Sequence, residues 1–103
     1  MLLKHVKQIL LVSCLLSVNT AANSVELSQG AMLSNSCAAC HGTHGKSPGA
    51  IPSINSKSAS FLSQALKDFR SGTRSSTVMG RHAKGYTDEE IELIAQHFSH
   101  VKP

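Results

Sequence analysis

Three side chains in one short run carry the chemistry of this chain. Cys37-Ala38-Ala39-Cys40-His41 has the spacing C-x-x-C-H, the pattern of covalent c-type haem attachment. Two cysteines three apart on a helical turn lie side by side, within reach of the two vinyl groups of one porphyrin. Thioether bonds at Cys37 and Cys40 then fix the ring edge, and the imidazole of His41 can point at the iron. A tethered haem cannot diffuse away, and its apolar faces supply core that a short chain lacks. Other chemistries compete for the same residues. Zinc needs two more ligands at matched spacing; the further histidines are scattered, and His97 and His100 form only a weak pair. A thioredoxin-like pair sits at a strand-to-helix junction, and no strand pattern is present. A plain disulfide suits an oxidising compartment.

A sixth iron ligand has four candidates: Met32, Met79, His44 and His82. Met32 precedes the cysteines on the same helix, and His44 follows His41 by three residues; neither is placed for the opposite ring face. Met79 lies 38 residues beyond His41, beside Gly80, with enough chain between to wrap the haem edge. A Met/His pair raises the reduction potential and leaves no position open for substrate. The rival is His82, three residues on. The other reading of Met79 itself is a loop methionine packing on the core. A metal-bound imidazole normally gives its other N–H to a fixed acceptor, and the Pro52 carbonyl is a candidate. Otherwise Pro52 is an ordinary loop proline.

These residues need helices to hold them. Residues 25–41 read as a helix, with Gly30, Leu33 and Cys37 toward one side. Gly30 costs helix propensity, so its use is close approach by another helix. Gly42, Gly45, Pro48, Gly49 and Pro52 make residues 42–57 a loop. Residues 58–70 form an amphipathic helix whose stripe, Phe61, Leu62, Ala65, Leu66 and Phe69, is expected to be core. Gly72 stops it. Residues 73–86 show no period and are expected to be loop. Thr87-Asp88-Glu89-Glu90 is a capping box with acids in the first turn. It opens a helix that buries Ile91, Ile94, Ala95 and Phe98. The pattern is all-α.

The chain has 103 residues. Its first part reads as a secretory signal peptide: basic Lys4 and Lys7, an apolar run at residues 9–18, then a short polar tail with small residues. The run is too short to span a bilayer. The expected division is signal peptide at residues 1–22 and a monohaem domain at residues 23–103, with cleavage after Ala22; a cut after Ser24 fits nearly as well. Lipid attachment at Cys14 is the alternative for this segment. The remainder has 8 Lys and Arg against 6 Asp and Glu, unclustered, which is not a nucleic-acid profile. Four aromatic residues and no tryptophan make a thin core, so a cofactor or staple is needed.

Along essentially the whole region after residue 22, the chain resembles class I cytochromes c. Cys37-Ala38-Ala39-Cys40-His41-Gly42 after a helix, Ile51-Pro52-Ser53-Ile54 in the next loop and a distal Met79 carry the likeness. The resemblance implies a small class I cytochrome c fold, three to four helices wrapped around one covalently bound haem. It also implies that the first and last helices cross, with Gly30 or its neighbours near Phe98. Phe69-Arg70-Ser71-Gly72, Ser76-Thr77-Val78-Met79-Gly80-Arg81 and Ala83-Lys84-Gly85-Tyr86 look like a narrower subgroup, the cytochrome subunits of flavocytochrome c sulfide dehydrogenases. That subgroup usually has an aliphatic residue where this chain has His82. A single C-x-x-C-H means one haem. The implied role is periplasmic electron transfer without independent catalysis, with an FAD-containing sulfide dehydrogenase subunit as the partner. The alternatives are a free-standing soluble shuttle between respiratory complexes, an open-haem enzyme or sensor, and a non-haem thiol or metal protein.

Overall fold

Ser28 sets where the first functional helix begins. Its hydroxyl accepts from the Ala31 N–H at 3.2 Å, which caps α1, Gln29–His41. The computed structural model describes residues 2–5, which are helical, and 28–102. Residues 25–27, Cys14 and both expected cleavage sites lie outside the described residues. Gly42 ends α1 at φ 88°, its N–H bonding the Ala38 carbonyl. The stretch expected to be all loop then contains a 3-10 turn, Thr43–Gly45.

Ser58 caps α2, Ala59–Ser71, by accepting from Phe61 N–H, and Gly72 closes it in the left-handed conformation. Only part of its expected stripe is core. Leu62 is buried and Leu66 packs on the core from the side, but Phe61 is 50% exposed. Phe61 lies in the first turn of α2, one position before Leu62 and so about 100° round the helix from it. There the Lys57 ammonium stands over its ring at 5.5 Å.

The segment expected to be structureless holds a short helix, α3, Met79–Ala83. Five residues are too few to show a helical period, so the pattern was silent there. The Ser76 hydroxyl accepts from Gly80 N–H at 2.9 Å. A Cβ on Gly80 would sit 3.4 Å from the Phe69 carbonyl oxygen, so glycine lets α3 lie close against α2.

Thr87 and Glu90 form the expected capping box at the start of α4, Asp88–His100. Ile91, Ile94, Ala95 and Phe98 are all buried on its inner face. Leu62, Ile94, Ala95 and Phe98 make the core, with Leu33, Cys37, Ile54 and Tyr86 packed at its margin. Helix α4 packs against both α1 and α2. At Gly30 an added Cβ would come within 2.8 Å of the Leu93 carbonyl oxygen, so the two backbones nearly touch. The crossing thus centres on Leu93 and His97, while Phe98 packs toward Gly45 and Ile54. Among the described residues there is no strand, and no helix is long and apolar enough to cross a membrane.

Candidate functional site

His41 is the last residue of α1 and is buried, 8% exposed. Its ring is held from the following loop. Gly45 sits at φ 72° against the Phe98 ring, and its carbonyl accepts from Ile54 N–H at 2.8 Å and Asn55 N–H at 3.2 Å. Ser47 N–H donates to the Ser53 hydroxyl at 2.9 Å. The loop so pinned brings the Pro52 carbonyl oxygen 2.6 Å from His41 Nδ1. A carbonyl only accepts, so Nδ1 carries the proton. The lone pair of the neutral ring is then on Nε2, available to a metal.

Cys37 and Cys40 stand one turn apart on α1 and are not joined to each other. Cys37 is half-buried at the core margin, and Cys40 is exposed. Burial pushes the Cys37 thiol up. The pair lies within a helix, not at a strand-to-helix junction. Among the described residues no three His, Cys, Asp or Glu side chains converge as a metal-ion site, so the zinc reading has no donor set. The donors fit a porphyrin instead. Two thiols on one helical turn precede an imidazole with its Nδ1 already committed. Ile51 and Val78, half-exposed and apolar, adjoin Pro52 and Met79 in the chain.

Met79 is the first residue of α3 and is half-buried; His82 is exposed one turn later on the same helix. Met32 is 54% exposed on α1. His44 is exposed on the 3-10 turn at φ 57°. The His97 ring meets the Phe98 ring edge-on, and His100 Nδ1 donates to the Gln96 carbonyl at 2.7 Å. These two histidines therefore have local structural partners.

Sequence reasoning missed one contact beside the site. Tyr86 Oη lies 2.7 Å from Ser36 Oγ, fifty positions away and next to Cys37. Neither residue has a spacing that announces the other.

The family model described as cytochrome c matches residues 26–102. The chain is 57% identical over 81 residues to the cytochrome subunit of sulfide dehydrogenase from Chlorobaculum tepidum, covering 79% of this chain and 74% of that protein. It is 33% identical to cytochrome c-553 of Helicobacter pylori strain 26695, covering 84% and 93% respectively. It is 36% identical to the thiosulfate dehydrogenase electron acceptor of Stutzerimonas stutzeri, over 63% of this chain and 32% of that one.

Proposed function

This chain belongs to the cytochrome c family, an electron-transfer family with covalently bound haem, and from that premise we propose that it accepts electrons from a flavoprotein subunit that oxidises sulfide. The haem supplies a one-electron iron couple. The chain's own residues do the rest. Cys37 and Cys40 tether the ring through thioethers. His41 Nε2 would ligate the haem iron, with the Pro52 carbonyl steadying the ring at Nδ1. Met79, at the start of α3, would be the second protein ligand to the iron and would raise its potential. Held by His41 and Met79, the iron would offer no ready place for substrate, and substrate chemistry would belong to the FAD-containing partner. Residues 1–22 direct export to the periplasm and are removed.

The observation that carries the sulfide reading is the likeness to a cytochrome subunit of sulfide dehydrogenase across most of both chains. The test is isolation from the native periplasm under mild conditions, followed by an absorption spectrum. Haem and flavin bands that co-elute, with haem reduced on adding sulfide, are the expected result. Haem alone, in a small species inert to sulfide, makes the chain a free-standing shuttle.

A further inference from the structure

We infer that Tyr86 is a positioning residue for the distal side of the haem: its hydroxyl, bonded to Ser36, straps the segment carrying Met79 to the haem-bearing helix. The strap sets how readily Met79 yields to an outside ligand. The inference rests on Met79 being the distal ligand.

Ser36 is the residue before Cys37, so it moves with the attachment helix. Its hydroxyl lies 3.4 Å from the Leu33 carbonyl and 2.7 Å from Tyr86 Oη. The Leu33 carbonyl can only accept, so Ser36 donates there and Tyr86 donates to Ser36. The Tyr86 ring packs at the core margin with Leu33 and Cys37. The main chain of Tyr86 is held as well. Its N–H donates to the Ala83 carbonyl at the end of α3, and its carbonyl accepts from Arg70 Nη1 at 3.1 Å. Arg70 also pairs with Asp88 at the start of α4. Tyr86 is therefore where α1, α2 and α3 are tied together.

At its other end α3 rests against α2 at Gly80, Val78 offers no side-chain cap, and the Ser76 hydroxyl accepts from Gly80 N–H. On this inference Met79 leaves the iron through a shift of α3, and the tie at Tyr86 resists that shift. An exposed neutral hydrogen bond of this kind changes such an opening equilibrium by about two- to fivefold.

The test uses the ferric holoprotein, titrated with imidazole and followed by its absorption spectrum. Tyr86→Phe keeps the ring and removes the hydroxyl; Ser36→Ala removes the acceptor. Each is expected to raise imidazole affinity about two- to fivefold. The double variant is expected to gain no more than either single one, because both remove the same bond. Imidazole affinity equal to wild type, with only the unfolding temperature lowered, makes the bond merely structural and overturns the strap. Effects that add in the double variant overturn it too. The methionine–iron charge-transfer band of the wild type separates the two readings. If the band is absent, the Met79 assignment falls and the strap with it. If it is present and imidazole affinity is unmoved, the strap alone falls.

Discussion

His41 Nδ1 lies 2.6 Å from the carbonyl oxygen of Pro52, eleven positions along the chain. The bond fixes the tautomer and the plane of the ring together, and it would strengthen the imidazole as a donor to a metal. His41→Ala is expected to leave little holoprotein; normal haem content in that variant refutes its proximal role. Pro52→Ala keeps the carbonyl but frees the backbone that aims it. Haem is expected to stay attached. The potential is expected to rise by at most about 40 mV, the one-electron equivalent of about 1 kcal/mol of hydrogen bond. Voltammetry showing a fall instead would mean the Pro52 bond does not favour the ferric state.

The positions that repeat were readable in the chain, and the positions that meet only in space were not. Ile91, Ile94, Ala95 and Phe98 recur at helical spacing and are buried together. Thr87 and Glu90 cap each other within one turn, so local order was enough to find them. The C-x-x-C-H run is likewise local. By contrast, α3 was hidden because five residues hold little more than one turn. Phe61 looked like core because sequence gives the spacing of a stripe but not its edge. Gly45 read as a chain breaker, yet its added role is to make room for the Phe98 ring, 2.8 Å from where a Cβ would stand. Tyr86 and Ser36 meet only because α1 and the segment after α3 both pack on the common core.

The α1–α4 crossing gives a stability test at Gly30. Alanine there gains about 1 kcal/mol of helix propensity. Against this, its Cβ would stand 2.8 Å from the Leu93 carbonyl oxygen, a backbone atom that cannot rotate away. Overpacking of this kind costs roughly 1–3 kcal/mol. The clash is expected to win, so Gly30→Ala should unfold at a lower temperature than wild type. Thermal unfolding of the holoprotein measures this; an equal or higher midpoint would show that the crossing has slack.

Acid and alkali should both loosen the α2–α4 contact. The hydrogen bond from Lys67 holds Glu92 below its ordinary value near 4.5, with Ser63 adding a second bond. The same contact raises Lys67 above its ordinary 10.5. A depressed carboxylate contributes stability above its unfolded pKa and loses it as pH falls through the folded value. A raised lysine contributes below its unfolded pKa and loses it as pH climbs through the folded value. Stability from this pair is thus flat through neutral pH and declines at both ends. Asp88, lowered by its bond to Arg70, adds to the acid limb. Glu92→Gln is expected to flatten part of the acid limb and most of the alkaline one. Chemical denaturation across pH reads the difference; limbs as steep as wild type would assign them elsewhere.

Met79 and His82 share one turn of α3, about 4.5 Å apart along its axis. That proximity makes the distal ligand a two-residue question, and two variants separate the answers. A thioether favours ferrous iron, so Met79→Ala is expected to lower the potential by more than about 60 mV, a tenfold change in the redox equilibrium. The reduced variant should also bind carbon monoxide, which the wild type should resist. His82→Ala is expected to leave both properties as they are, since His82 is exposed while Met79 is half-buried. An unchanged potential in Met79→Ala, with a large shift in His82→Ala, would reverse the assignment. Adding His82→Ala to Met79→Ala completes the cycle. If His82 takes over when Met79 is gone, carbon monoxide binds the double variant more readily than the single one.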